Sequence, residues 1–371
     1  MKKYLLLLCV ISFTLPSLAQ VPYNAASPNG YTKKALVSEQ VGLTQLSITY
    51  HRPAVNGREG KIWGSVVHKG FADQGFGNRM PAPWRAGANE NTIIELDNDV
   101  KVEGQLLPKG KYGFFIAYDP MECILIFSKR SDSWGSFYYD EKEDILRVKV
   151  KPQLLEKSVE HLKYEFLQQT LNSAVIALSW EKLMISFKVE VDYIKQQFDA
   201  FVTESQNPGG FTSQGLNIAS AWALQNNYRL DKALEWATLA TGSNFPGDPS
   251  SFSALSTKAA ILDKLGKFEE AVSVMKTALP FGSIGQLQQY GRQLITTNKP
   301  KAALEVFQFN HDKNPNQFIT LAGMVRGLSA NGQYSRALEY ATKALSLAPN
   351  DANKQAVEGM IEKLKAGKDI N

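Results

Sequence analysis

Between residues 42 and 191, apolar positions alternate with polar ones or gather into short β-branched runs, and turn residues separate the runs. "TQLSITY" (44–50), "NTIIEL" (91–96), "DVKVEG" (99–104), "KYGFFIAY" (111–118), "CILIFS" (123–128), "DILRVKV" (144–150), "AVIALSW" (174–180) and "LMISFKVEV" (183–191) each read as a strand. "LPKG" (107–110) and "YDPME" (118–122) supply turns. So many strands with no helical pattern among them predict an antiparallel sandwich or a barrel-like domain.

Near residue 191 the period changes from two to three or four. "YRLDKALEWATLA", "GKFEEAVSVMKTA", "NKPKAALEVFQFN" and "GQYSRALEYATKA" share an alanine, at Ala233, Ala271, Ala303 and Ala337, with steps of 38, 32 and 34 residues. That period belongs to stacked helical hairpins rather than to one globular core. In the last unit Leu321, Gly332, Tyr334, Ala337, Ala341, Ala344 and Pro349 fall where a tetratricopeptide repeat places its large, small and helix-ending residues, and this half resembles that family. Two units depart from the pattern: Pro300 replaces an aromatic, and residues 227–230 replace the glycine turn. "DANKQAVEGMIEKLKAG" puts Ala356, Met360, Ile361 and Leu364 on one face and is expected to cap the stack.

The fold expected is therefore two-domain: an all-β antiparallel sandwich or barrel-like domain, then an all-α tetratricopeptide-like helical solenoid. The opening "MKKYLLLLCVISFTLPSLAQ" has two lysines, an apolar run and small residues at Ser17 and Ala19, the pattern of a secretory signal peptide cut after Ala19. The run is too short to span a bilayer, and no later stretch reaches that length, so no transmembrane segment is expected. The organisation follows as a signal peptide at 1–19, an N-terminal linker at 20–36, the β domain at 37–191, a connecting helix and linker at 192–211, and repeats with a capping helix at 212–371. Export places the chain in the periplasm or outside the cell.

Composition changes little in this picture. At 44% hydrophobic and 21% charged, the chain is neither largely disordered nor a coiled coil. The net charge of +5 includes Lys2 and Lys3 of the leader, and the remainder is too mild to point to nucleic acid. Losing Cys9 with the leader leaves Cys123 alone, so stability is expected from packing rather than an internal disulfide.

Catalytic motifs are absent. Neither a G-x-S-x-G elbow nor a G-x-x-x-x-G-K-[ST] phosphate loop occurs, and no cofactor is implied. "NPGGFTSQG" (207–215) lies between helical stretches and reads as a linker turn and helix start. His51, His68, His161 and His311 show no i, i+4 pairing, so no metal site is expected, and "YYDEKED" (138–144) lacks calcium-loop spacing.

Several ordered motifs remain in the β half: "SEQVGLTQLSITYHRPAVNGR", "WRAGANENT", "VEGQLLPKGKYGFF" and the aromatic and acidic run ending in "DILRVKVKP". Over roughly residues 37–191 they resemble the exported bacterial domain of unknown function 2911. That resemblance brings no assigned activity. The chain departs from it by inserting "KGFADQGFGNRMPAP" (69–83) before Trp84, which is expected to alter the rim of any pocket.

Two readings of this polar set stay open. In one, Arg52, Arg85, Asn89 and Glu90 converge beside Trp63 or Trp84 to hold a small polar or anionic ligand, through guanidinium forks and a flat aromatic face. In the other, Arg85 and Glu90 pair with each other or with backbone carbonyls, and the loop is a structural corner. An enzyme would further need Glu90 as acid or base with Asp144 opposite. Trp134, Phe137, Tyr138 and Tyr139 read as a strand with one face in the core, or else as a sugar platform. At the level of the whole chain, the choice lies between a non-enzymatic exported protein that binds a protein or peptide in its repeat groove, and a periplasmic enzyme or binding protein for a carbohydrate or other polar substrate.

Overall fold

The computed structural model describes residues 32–371, so the expected leader and residues 20–31 of the expected linker lie outside the described residues. The chain divides into one unit ending at Gln196 and a second beginning at Gln197.

In the first unit, β1 (Lys33–Val41), β2 (Thr44–Arg52), β3 (Thr92–Leu96), β6 (Gly110–Ala117), β7 (Cys123–Ser128) and β8 (Asp144–Val150) form one antiparallel sheet in that order. A second sheet has the order β5 (Gln105–Leu107), β4 (Val100–Val102), β10 (Ser173–Glu190), β9 (Gln153–Leu167), again antiparallel. Because side chains alternate across a strand, each sheet turns one apolar row inward. Ile48, Ile94, Phe114 and Phe127 of the first sheet share a core with Leu162, Ile176, Trp180 and Phe187 of the second. The Phe187 ring lies 5.6 Å from Phe114 and 6.0 Å from Phe127. Neither sheet closes on itself, so the barrel alternative gives way to two open sheets.

Two strands carry no clear apolar alternation in the sequence. β1 and β9 are sheet edges, largely exposed and rich in Lys, Glu and Ser, as edges that must resist further pairing are. The first strand of the first sheet begins at Lys33. The two runs read at 174–180 and 183–191 are one long strand, β10, interrupted by a bulge at Glu181 (φ 51°), whose carboxylate accepts the Gly60 amide at 2.9 Å. Beyond β2 the chain crosses to the second sheet: Leu162 N donates to Pro53 O (3.0 Å) and Val55 N to Glu160 O (2.7 Å).

Segment 69–83 lies on the outer face of the first sheet. Ala72 and Ala82 pair with each other, and Ala82 joins Phe115, Ala117, Ile126 and Tyr139 in a second, smaller core. The approach is close: a Cβ on Gly77, itself at φ 65°, would fall 2.0 Å from the Phe137 carbonyl oxygen.

The second unit is helical. α1 (Tyr193–Glu204) runs across the boundary, and its Phe198 packs on Trp236 at 5.3 Å. Four hairpins follow: α2 (Ser213–Gln225) with α3 (Leu230–Ala240), α4 (Phe252–Lys264) with α5 (Phe268–Ala278), α6 (Ile284–Thr296) with α7 (Pro300–Lys313), and α8 (Phe318–Ala330) with α9 (Tyr334–Ser346); α10 (Asp351–Lys365) packs on α9. The four repeated alanines are all buried. Both departures have local explanations. Pro300 is the first residue of α7, where a missing N–H and fixed φ suit a helix start. Asn227 (φ 49°) and Arg229 (φ 46°) adopt the left-handed backbone that Gly266 and Gly332 take in other turns. "NPGGFTSQG" is a turn and helix start, with the Thr212 hydroxyl capping the Gly215 amide at 3.0 Å.

Three helical glycines surround Phe307 of α7. A Cβ at Gly291, Gly323 or Gly327 would stand 2.5, 2.7 or 2.9 Å from its ring. Glycine in a helix interior costs about 1 kcal/mol against alanine, so these positions give up helix propensity to admit the ring. Gly291→Ala would regain that propensity, but it would push on a ring already held from two other sides. Over-packing typically costs about 1–3 kcal/mol, and the helical unit is expected to unfold at lower denaturant, followed by circular dichroism; a stabilised variant would mean that the ring can step aside.

A looped-out segment at the edge of strand β6

Trp84 exchanges backbone hydrogen bonds with Ile116 of β6 (3.0 and 2.8 Å), and Thr92 at the start of β3 stands opposite Phe114 of the same strand. The chain therefore leaves β6 at Trp84 and returns after β6 has advanced by only two residues, looping out 85–91. Two residues in left-handed backbone turn the loop, Ala86 (φ 51°) and Asn89 (φ 60°). For non-glycine residues this conformation costs about 1–2 kcal/mol and persists only where surroundings enforce it.

Those surroundings are side-chain donors for the carbonyls that the ladder no longer satisfies. Ala86 O, on a fully buried residue, accepts from Tyr164 Oη at 2.8 Å and Thr92 Oγ1 at 3.1 Å. Gly87 O accepts from Trp84 Nε1 at 3.1 Å, and Asn89 O from Arg85 Nη1 at 2.9 Å. Asn91 ties the far end of the loop to the next excursion, donating to Arg130 O at 3.0 Å while its backbone N–H reaches Ser133 O at 3.3 Å. Burial raises the Tyr164 hydroxyl well above its ordinary range, which keeps it a donor.

Arg85 is largely buried, and that burial lowers its pKa. Its guanidinium lies 4.9 Å from the centre of the Phe137 ring, an arrangement worth about 0.5–2 kcal/mol. Gly135 makes room for it, since a Cβ there would fall 2.4 Å from the guanidinium carbon. Nearby His68 is held below the usual histidine range, first by burial, against a backbone hydrogen bond from Lys69, and then by the charge of Arg85.

Glu90 does not meet Arg85. Its carboxylate lies against Nε2 of His51, which is buried at the end of β2, while Asn89 Nδ2 lies 3.1 Å from His51 Nδ1. An imidazole that accepts at Nδ1 carries its proton on Nε2, toward Glu90. Both ring nitrogens are thus engaged. Thr92, at the end of the loop, donates its hydroxyl to Ala86 O.

The remaining residues lie elsewhere. Arg52 does not join Arg85, Asn89 and Glu90; its Nε donates to Leu162 O of β9 at 3.0 Å and closes the crossing between sheets. Trp84 packs in the core, stacked on Trp180 at 6.2 Å and edge-on to Trp63 at 5.6 Å. Asp144 does not face Glu90: it accepts from Tyr139 Oη at 2.6 Å and Arg147 Nε at 2.7 Å. Burial raises Asp144 above the usual carboxylate range, with those hydrogen bonds opposing the shift. Of the four aromatics, Tyr139 is buried, Phe137 half-buried, and Trp134 and Tyr138 exposed. His51 and Tyr164 are the residues that sequence reasoning missed. Tyr164 belongs to none of the quoted motifs, and His51, although inside "SEQVGLTQLSITYHRPAVNGR", acts through partners distant in sequence. Among the described residues no group of three or more His, Cys, Asp or Glu is placed to hold a metal ion.

Tyr164→Phe leaves Ala86 O with Thr92 alone and is expected to destabilise the β domain by about 1 kcal/mol, read from tryptophan fluorescence in urea. Arg85→Lys is expected to cost as much or more, because an ammonium cannot both donate to Asn89 O and lie flat on Phe137. Unchanged midpoints would show that neither group holds the loop.

No curated protein matches the chain. The helical region is similar to solved tetratricopeptide repeat structures. One is YrrB, described as a TPR protein with an unusual peptide-binding site (19% identity over 46% of this chain and 86% of that one, TM-score 0.30). Others are a tetratricopeptide repeat protein from Parabacteroides merdae (18% identity, 47% and 70%, TM-score 0.31) and MamA from Desulfovibrio magneticus (16% identity, 42% and 93%, TM-score 0.27). At such identities the likeness is one of fold alone. Residues 32–189, comprising the two sheets and the looped-out segment, match the model of the family described as Protein of unknown function (DUF2911).

Proposed function

We propose that the protein is an exported, non-enzymatic interaction protein, whose helical repeats bind a protein or peptide and whose β domain serves as a rigid scaffold. The contrast between the two units in how polar side chains are used carries this reading. Around 85–91 the donors and acceptors are consumed within the fold. On the first helices of the last two hairpins, by contrast, the charge of Arg292 lowers the pKa of Arg326, and neither guanidinium has an ion-pair partner among the described residues, Arg326 donating instead to the neutral Asn371 amide. A surface of that kind gains from an incoming carboxylate. Stacked helical hairpins provide the extended face for it. The leader pattern at 1–19 supports export, to the periplasm or beyond the cell.

A second reading rests on Glu90. Its side chain is 41% exposed beside the buried His51, which leaves a carboxylate that a small polar solute such as a carbohydrate could reach.

The two readings separate on one experiment with the chain from Gln20 onward. Fluorescence anisotropy against a panel of unstructured acidic peptides is expected to detect binding that weakens at least tenfold in Arg292→Glu and is unchanged in Arg85→Ala. A sugar or carboxylate that raises the melting temperature of the wild type but not of a folded Glu90→Ala variant, with no peptide bound, would overturn the repeat reading in favour of the β domain.

A further inference from the structure

Beyond α10 the chain turns at Gly367 (φ 65°), with Lys368 N returning to Lys363 O at 3.0 Å, and then runs back onto α8. There the fully buried Ser329 holds it from two directions: its hydroxyl donates to Asp369 Oδ1 at 2.7 Å and accepts the Ile370 amide at 3.1 Å. Ile370 is itself buried and joins the core of the repeats. Asn371 completes the contact, its Nδ2 donating to Arg326 O at 3.1 Å and its Oδ1 accepting from Arg326 Nη1 at 3.4 Å. The Asp369 carboxylate, the Ile370 side chain and the Asn371 amide are therefore met by Ser329, by the core of the repeats and by Arg326, as an extended peptide is when it is recognised.

The fit is incomplete on the side of charge. Burial lowers the pKa of Arg326, and the neighbouring charge of Arg292 lowers it further. Asp369 bonds to Ser329 rather than to either guanidinium. Between the two helices, Gln288 of α6 has its Oε1 buried without a hydrogen-bond partner, lying where a side chain on Gly323 of α8 would stand. Two guanidinium groups without a carboxylate partner, beside the hydroxyl that Asp369 already holds, suit a longer acidic segment better than they suit residues 369–371 alone.

We infer that residues 369–371 are a tethered occupant of a peptide subsite on the α6–α8 face, and that the partner is an extended segment with an acidic residue, a branched apolar residue and a further carboxylate, which displaces them. This rests on the reading of the repeats as a binding surface and adds where binding occurs, what binds and how it is held in check. The tether lowers apparent affinity, because only the fraction of molecules with a free subsite can bind.

The test uses the full chain and a labelled, end-capped peptide of the sequence KAGKDIN, with DIE in place of DIN as a second probe and a scrambled control. In Asp369→Ala/Ile370→Ala the subsite is vacated, and KAGKDIN is expected to bind at least tenfold more tightly than to wild type. The DIE probe should bind more tightly than DIN, and Arg292→Ala or Arg326→Ala should remove that difference. Because loss of Ile370 could loosen the array, Asn371→Glu provides a surface variant of opposite sign: its own tail gains a carboxylate for Arg326, so probe binding should fall several-fold below wild type. Equal probe affinity across wild type, the vacated variant and Asn371→Glu would overturn the proposal, making the tail a cap. If other acidic peptides still bound all three in an Arg292-dependent way, the repeat reading would survive that failure; if no peptide bound any of them, both would fall.

Discussion

A chain that leaves a sheet and rejoins it two residues further along the partner strand must find new hydrogen-bond partners for all the backbone it withdraws from the ladder. That requirement organises the β domain. Tyr164, Thr92, Trp84 and Arg85 each bring a side-chain donor to a carbonyl of 85–91. Tyr164 comes from β9 of the second sheet and Thr92 from β3 of the first, so the loop binds the sheets together as well as being held by them. The Tyr164 amide itself donates to Tyr50 Oη in the first sheet at 3.1 Å. The left-handed backbone at Ala86 and Asn89 is enforced from outside, by contacts that leave the loop little freedom to adjust.

The same economy governs Arg85 and Glu90. The two opposite charges lie five residues apart in the sequence, and pairing between them was one natural expectation. The fold instead sends the guanidinium to a carbonyl and an aromatic ring, and the carboxylate to a histidine. Burying a charge beside a π face and a backbone dipole avoids desolvating two full charges together. Segment 69–83 acts alongside this, closing the outer face of β6 and β7 with apolar groups rather than opening a rim around a cleft.

Strand identity was legible wherever one face of a strand is buried, because burial writes alternation into the sequence. β1 and β9 were illegible for the corresponding reason: polar edge strands carry pairing information in the backbone, which side-chain patterns do not record. The helical hairpins were legible from their alanines, because close helix approach demands small residues at fixed intervals. The loop was recognisable as special, but its wiring was not. Arg52 and Arg85 look alike in the sequence, and only the crossing of chain from β2 to β9 separates them by assigning Arg52 to Leu162 O. His51 gains its meaning solely from Asn89 and Glu90, far along the chain.

The ring of Phe307, held between Gly291, Gly323 and Gly327, has a consequence for how this sequence can diverge. Enlarging any one glycine meets the ring, and shrinking the ring leaves a void lined by bare helix backbone. Effects at positions that share a space in this way are not additive. The four sites form one unit of inheritance: they persist together, or they change by a path on which a second substitution repairs the first.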